Sequence, residues 1–289
     1  MIRALVREAR PKQWAKNVLV FAAPGAAHVL GQVDALAKTI ALFVAFCLVS
    51  SGTYFWNDLL DIELDRLHPI KRFRPIASGA IPVGTARLVG TLGIVVGLAI
   101  AFGVRWQAGA VVAGYVALTL TYSVIWKHHA VLDLIAVAGG FVLRAIAGAV
   151  GVDVPMSTWF VLFTSFASLF IVTGKRYAEL REHGEDAAQS RATLDAYSLG
   201  YLRIVLSVSL GAAILTYCDW AFETTQDLGT RLPFYELSIV PMLAALLRYT
   251  LVIEQGHGAA PEEIFLSDRM LQLLGVIWLA VFGLGVYVR

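Results

Sequence analysis

Nine apolar runs, most of them close to twenty residues long, decide what this chain can fold into. Wound as a helix, a run of that length matches the hydrocarbon thickness of a bilayer. Its unbroken apolarity is unlike the alternation of a membrane β-barrel strand. The expected spans cover residues 17–30, 36–56, 85–104, 108–126, 131–150, 159–173, 199–222, 237–253 and 270–288, the first one short and interrupted by Pro24 and Gly25. Only 15% of the 289 residues are charged, against about a quarter in soluble domains. The reading is an all-α integral membrane protein: one domain over residues 1–289, built as a bundle of nine transmembrane helices. A net charge of +2 is too small to imply a nucleic-acid partner. Cys47 and Cys218 fall inside apolar runs and read as neither disulfide, metal ligand nor nucleophile. The basic start has no small-residue cleavage site after it, so no cleavable signal peptide is expected. Oligomeric state stays open, a homo-oligomer included.

Orientation follows from where lysine and arginine fall. With a cytoplasmic N-terminus, one side collects 18 of the 23, and Lys38, Arg105, Arg231 and Arg289 fall on the other, with Arg144 inside a span. The polar loops that carry chemistry follow the even-numbered spans, so all of them are expected on the cytoplasmic face of a plasma membrane. Trp14 reads as an interface anchor.

The most informative polar stretch is NDLLDIELDRLHPIKRFRPIASGAIP, residues 57–82. On a helical wheel Asn57, Asp61, Asp65 and Asp58 fall at about 0°, 40°, 80° and 100°, while Glu63 falls at about 240°. Three carboxylates and an amide on one face repel one another unless a cation sits among them. Oxygen-only ligands favour a hard ion, Mg2+ before Zn2+, and such an ion keeps positions for water and substrate phosphate. Asn57, Asp58, Asp61 and Asp65 are therefore candidate metal ligands and the candidate catalytic group. Lys71, Arg72 and Arg74 follow in one short loop, and guanidinium groups suit phosphate geometry. Pro69 should stop the helix, because the residue before a proline avoids the α region. A blander reading is a solvated loop that obeys membrane topology, but topology calls for lysine and arginine rather than one-sided aspartate.

A second cluster, Lys175, Arg176, Tyr177 and Glu179, follows span six. It reads either as a phosphate clamp or as an i, i+4 helix salt bridge worth a few tenths of a kcal/mol, about 0.2–0.5. Tyr122 with Lys127, and Lys16 with Asn17, are weaker candidates for phosphate contact, since basic residues belong at cytoplasmic helix ends in any case. Asp133 and Arg144 lie inside a span, where ionisable groups are costly and mark function. Arg144 fits structural pairing and substrate contact equally. His28, His128, His129, His183 and His257 show no metal-ligand spacing, and there is no Walker A loop, dinucleotide fingerprint or GxSxG.

With NDLLDIELDR set among nine apolar runs, the chain resembles the UbiA superfamily of intramembrane prenyltransferases. RPKQWAKN, HPIKRFRPIASG, GKRYAELRE and SDRMLQLL point to its branch that acts on polyprenyl phosphate. The resemblance implies a UbiA-like bundle with a cytoplasm-facing cavity. The implied reaction is Mg2+-dependent transfer of the 5-phosphoribosyl group from phosphoribosyl pyrophosphate to a polyprenyl (decaprenyl) phosphate, in bacterial cell-wall arabinan precursor synthesis. Lys71, Arg72 and Arg74 would grip the leaving pyrophosphate, Lys175, Arg176 and Tyr177 the 5-phosphate, and Lys16 or Lys127 the lipid phosphate. Ordinary members carry a second Asp-rich motif after span six, where this chain reads KRYAELRE. Two alternatives remain: a prenyltransferase using a prenyl diphosphate and an aromatic acceptor, and a secondary transporter of phosphorylated solutes.

Overall fold

The computed structural model describes residues 1–183, 193–228, 232–256, 264–265 and 267–287. Arg231, Arg289 and His257 lie outside the described residues. Every regular element among those described is helical. Among the described residues eight helices are long and apolar enough to cross a membrane, so this is a multi-pass membrane protein. The chain divides into two compact units, Met1–Gly25 with Val29–Pro155, and Ala26–His28 with Met156–Arg289.

The first unit opens with a short helix, α1 (Ile2–Ala9), and a 3-10 helix over Pro11–Phe21. The five-residue α2 (Ala22–Ala26) follows. The region expected as a first span, residues 17–30, is thus a 3-10 helix and a short α-helix among the described residues. The physical cause lies in Pro11, which opens the 3-10 segment, and in Pro24 and Gly25, which disfavour a long α-helix. The long helices are α3 (Val33–Leu60), α5 (Val83–Val104), α6 (Trp106–Val124) and α7 (Leu132–Gly151). Helix α3 outruns the expected span and carries Asn57 and Asp58 on its last turn. At Asp61 the helix breaks (φ −96°, ψ 7°), resumes as α4 (Ile62–Leu67), and ends at His68, which is extended before Pro69.

Small residues let these helices approach closely, the usual way to gain packing inside a bilayer. A Cβ on Gly148 of α7 would lie 1.9 Å from the Val20 carbonyl, and one on Gly52 of α3 would lie 2.6 Å from the Gly90 carbonyl of α5. The core at these crossings is Val20, Leu42, Phe46, Val49, Val112, Tyr115 and their neighbours. A second cluster of Phe55, Ile76, Ile81 and Ala86 receives Ala4, Leu5 and Ala9 of α1. That contact seats α1 beside the acidic end of α3. Trp14 adds to it, its indole N–H donating to Ser51 Oγ (3.0 Å), while Ser51 donates to the Ala9 carbonyl (2.9 Å).

The second unit comprises α8 (Thr158–His183), α9 (Leu199–Leu228), α10 (Phe234–Leu237), α11 (Ile239–Glu254) and α12 (Arg269–Tyr287). Its core is aromatic, with Tyr217, Trp220, Tyr235 and Phe282 packed together. Asp268 caps α12 by accepting from the Leu271 amide (2.9 Å), and Arg248 pairs with it at 2.7 Å. The hydrogen bond from Arg248 holds the Asp268 carboxyl below its ordinary range.

Candidate active site

The wheel drawn from sequence holds for the Asp-rich face. Asp58 and Asp65 are buried, at 1% and 3% exposure, whereas Glu63 is exposed and pairs with Arg66 three residues on (2.9 Å). Asp58 and Asp65 converge on one atom: Arg74 Nη1 donates to Asp58 Oδ1 at 3.2 Å and to Asp65 Oδ2 at 2.7 Å. Asn57 Nδ2 also donates to Asp58 Oδ1 (3.1 Å), and Arg10 Nη2 donates to Asp58 Oδ2 (2.6 Å). Asp61, one turn on, is half-buried and pairs with Lys127 Nζ at 2.6 Å. Buried carboxylates need compensation, and here the chain's own cations provide it. Burial pushes the Asp65 carboxyl above its ordinary range, with Arg74 opposing the shift.

Two members of this cluster are not marked as site residues by the sequence pattern. Arg10 sits in the left-handed region (φ 53°), which turns the chain out of α1 and brings its guanidinium to Asp58 and over the Tyr54 ring (4.9 Å). Glu8, also on α1, is 1% exposed. Burial, with the neighbouring Asp58, lifts its pKa from 4.5 to about 8. Its Oε1 is buried without a hydrogen-bond partner. One signal does exist in the sequence, since Glu8 is the only acidic residue before Asp34, set among arginines and lysines.

The other predicted residues separate into distinct places. Lys71 is half-buried and close enough to Asp65 to lower its pKa, and exposed Arg72 stacks on the Phe73 ring (4.8 Å). Lys16 donates to Gln13. Asn17 belongs elsewhere: fully buried, it accepts from Arg144 Nε (2.7 Å) and faces Cys47 Sγ (3.3 Å). Arg144 further donates to the Gly140 carbonyl (2.7 Å) and Tyr115 Oη (2.8 Å), and sits among the rings of Phe46, Tyr115 and Phe141. This network ties the 3-10 segment to α6 and α7, which is the structural alternative for Arg144. Tyr122 is half-buried near the end of α6, and Asp133 is buried in the first turn of α7. Val131, just before α7, holds φ 70°, a costly value for a β-branched residue.

In the second unit Glu179 accepts from Arg176 (3.1 Å), with Lys175 Nζ at 3.8 Å. The i, i+4 pairing leaves the Lys175 side chain with 33% of its surface exposed. Arg176 and Tyr177 are buried. Tyr177 Oη donates to Glu254 Oε2 (3.1 Å) and accepts from Arg203 Nη2 (3.0 Å).

Whether the Asp-rich cluster suits a divalent ion can be judged from its donors. All are oxygens, two carboxylates already converge on one cationic atom, and a third carboxyl oxygen, Glu8 Oε1, is buried and unpartnered. That chemistry fits a hard cation. Among the described residues no three acidic, histidine or cysteine side chains are spaced as a finished metal site. Guanidinium groups occupy the space between the carboxyls.

A multi-pass helical bundle with an Asp-rich, arginine-lined cluster at the end of a span defines a class of intramembrane transferase, and the chain belongs to the UbiA prenyltransferase family, whose model matches residues 18–274. It is 42% identical to the decaprenyl-phosphate phosphoribosyltransferase of Corynebacterium glutamicum, covering 100% of this chain and 87% of that one. It is 41% identical to the Mycolicibacterium smegmatis protein of the same name, covering 99% and 93%. The structure of a UbiA homolog from Archaeoglobus fulgidus bound to GPP and Mg2+ shares the fold at TM-score 0.72 and 18% identity, covering 99% of this chain and 100% of that one.

Proposed function

We propose that this protein transfers the 5-phosphoribosyl group of phosphoribosyl pyrophosphate to decaprenyl phosphate, or a close polyprenyl phosphate, and releases pyrophosphate. Its full-length likeness to two decaprenyl-phosphate phosphoribosyltransferases is the observation that carries this reading. The clustered carboxylates and arginines of α3, α4 and the following loop support it chemically. The reaction takes place at the cytoplasmic face of a bacterial plasma membrane, on the positive-inside distribution of lysine and arginine, and the product feeds cell-wall arabinan synthesis.

During transfer, the bond from ribose C1 to the pyrophosphate oxygen breaks and its electron pair leaves with pyrophosphate. A lipid phosphate oxygen bonds to C1, which passes through oxocarbenium character. That oxygen is already anionic, so no strong general base is required. Asn57, Asp58, Asp61 and Asp65 would hold a Mg2+ ion, which would supply charge neutralisation for a departing diphosphate. Arg74, with Lys71 and Arg72, would grip the diphosphate. Lys127, or Lys16, orients the lipid phosphate near Asp61. The resemblance assigns the ribose 5-phosphate to the Lys175 segment, in which buried Arg176 and Tyr177 are braced by Glu179 and Glu254. Such a cationic segment suits a donor with a third phosphate, where a second acidic motif would repel it.

The test incubates the purified protein with phosphoribosyl pyrophosphate, Mg2+ and decaprenyl phosphate, and identifies the lipid product by mass. Formation of decaprenylphosphoryl 5-phosphoribose is expected. Prenylation of an aromatic acceptor from a prenyl diphosphate, with no phosphoribosyl lipid formed, would replace this reading with the ordinary family reaction.

A further inference from the structure

Among the described residues one carboxylate of the second unit, that of Glu254 at the end of α11, is met by three side chains. Tyr177 Oη donates to it at 3.1 Å, Arg203 Nε lies at 3.4 Å and Arg181 Nη1 at 3.5 Å. Arg203 closes the ring, because its Nη2 donates to Tyr177 Oη (3.0 Å) while its guanidinium lies 5.9 Å from the centre of the Tyr177 ring. Arg181 also donates to the Glu254 carbonyl. Tyr177 and Arg181 are four residues apart on α8, so they share one face, a turn apart. An acid from α11 and a cation from α9 thus fasten two successive turns of α8. Gly174 lies three residues before Tyr177, and a Cβ there would come within 2.6 Å of Ile253 Cδ1, so α8 and α11 touch directly beside Glu254. An interior glycine lets the helices close in but leaves the α8 backbone locally weak. Past it the sequence turns polar, KRYAELREH, so polar contacts carry much of the orientation of the last turns of α8.

Lys175 begins this segment, two residues before Tyr177 and so about 200° around the helix from it. With Tyr177 turned inward and buried, Lys175 is directed away from the clasp and stays partly exposed. The rotation of α8 about its own axis therefore sets where the Lys175 ammonium points. Ion pairs as exposed as Arg203 and Glu254, at 62% and 38%, contribute little to stability by themselves. What their arrangement supplies is direction. We infer that Glu254 and Arg203 are positioning residues of the donor site: they hold Tyr177, Tyr177 fixes the rotation of α8, and that rotation aims Lys175 at the ribose 5-phosphate. This rests on the reading that assigns the 5-phosphate to the Lys175 segment. It extends that site from one helix to three, since Arg203 and Glu254 lie 26 and 77 residues from Tyr177.

Kinetics of the full-length protein in nanodiscs, with phosphoribosyl pyrophosphate and decaprenyl phosphate varied in turn, test this. Tyr177→Phe removes the hydroxyl at the centre of the ring and keeps the aromatic body, while Glu254→Ala and Arg203→Ala remove its two partners. Each is expected to raise KM for phosphoribosyl pyrophosphate about 3- to 10-fold, the scale of one hydrogen bond, with kcat and KM for the lipid within about twofold of wild type. A further measurement places Glu254→Ala in a Lys175→Ala background. If Glu254 acts by aiming Lys175, no further rise in KM follows, whereas a general loosening of the unit adds its cost again. Additive effects, equal rises for both substrates, or single variants with wild-type KM would each overturn the inference while leaving the 5-phosphate reading in place. A Lys175→Ala variant with unchanged KM for phosphoribosyl pyrophosphate would instead remove that reading, and the inference with it, so the two failures are distinct.

Discussion

Replacing Arg74 with alanine removes the single atom that bridges Asp58 and Asp65. Both carboxylates are nearly inaccessible and would face each other with one guanidinium, Arg10, remaining on Asp58. Removing one partner of a fully buried pair costs about 3–5 kcal/mol. The Arg74 side chain keeps 29% of its surface exposed, which admits water and lowers the cost to about 2 kcal/mol. For a unit of roughly 150 residues that is a fall in Tm of about 4–8 °C. The sharper expectation concerns Mg2+. A divalent ion takes the place of the lost guanidinium, and saturation to about 100 times its Kd returns about 2.7 kcal/mol. Thermal unfolding in detergent, followed by tryptophan fluorescence in chelator and then across a Mg2+ titration, reads both quantities. Arg74→Ala should melt early in chelator and recover more with Mg2+ than wild type gains. A variant that melts at the wild-type temperature in chelator would show that Arg74 does not hold the carboxylates. Early melting without Mg2+ recovery would show that they do not form a cation site.

Asp58→Ala should lower phosphoribosyl transfer by about 100-fold or more, the scale on which a main electrostatic contributor is missed, with Mg2+ no longer shifting Tm. Lys175→Ala should raise KM for phosphoribosyl pyrophosphate well above any change for the lipid, whereas equal changes would place Lys175 outside the donor site. Arg144→Met leaves Asn17, Tyr115 and the Gly140 carbonyl without their donor. It should destabilise by about 2–4 kcal/mol, with KM for the surviving fraction unchanged. In chelator, stability should fall as pH rises. The folded-state pKa of Glu8 is raised from 4.5 to about 8, so its stabilising proton is fully in place below 4.5 and is lost as pH passes through about 8. Melting scans across that window should show the decline, and Glu8→Gln should flatten it.

The parts legible in the sequence are those set by periodicity. A 3.6-residue repeat is enough to put Asp58 and Asp65 inside and Glu63 outside, because all three ride on nearly continuous helix. Pro69 is enough to end α4, with His68 extended as the proline ring requires. The cations that complete the cluster are not legible as partners, because they arrive from other elements: Arg10 lies 48 residues from Asp58, and Lys127 lies 66 from Asp61. Asn17 shows the same limit in reverse. Beside Lys16 in a basic segment it resembles a phosphate contact, yet the 3-10 winding of Pro11–Phe21 turns it inward to Arg144, 127 residues away. The first apolar run is misleading for a similar reason. Hydropathy registers its composition but not what Pro11, Pro24 and Gly25 do to its backbone.

An acidic site built at the end of a membrane span faces a problem before any ion arrives. Asp58 and Asp65 are buried where a lone carboxylate would be neutralised or would unfold its surroundings. Arg10 and Arg74 offset that charge at Asp58 and Asp65, as Lys127 does at Asp61, and on the proposed reading each would give way or be shared when metal and diphosphate bind. On that reading a guanidinium freed from Asp58 and Asp65 would be available to the diphosphate. Competition of this kind lowers ion affinity in the empty protein and raises it when an anionic donor is present to receive Arg74. Ion and donor should therefore bind with positive coupling, which Mn2+ titrations with and without pyrophosphate measure directly. Independent binding would mean that Arg74 stays on its carboxylates throughout.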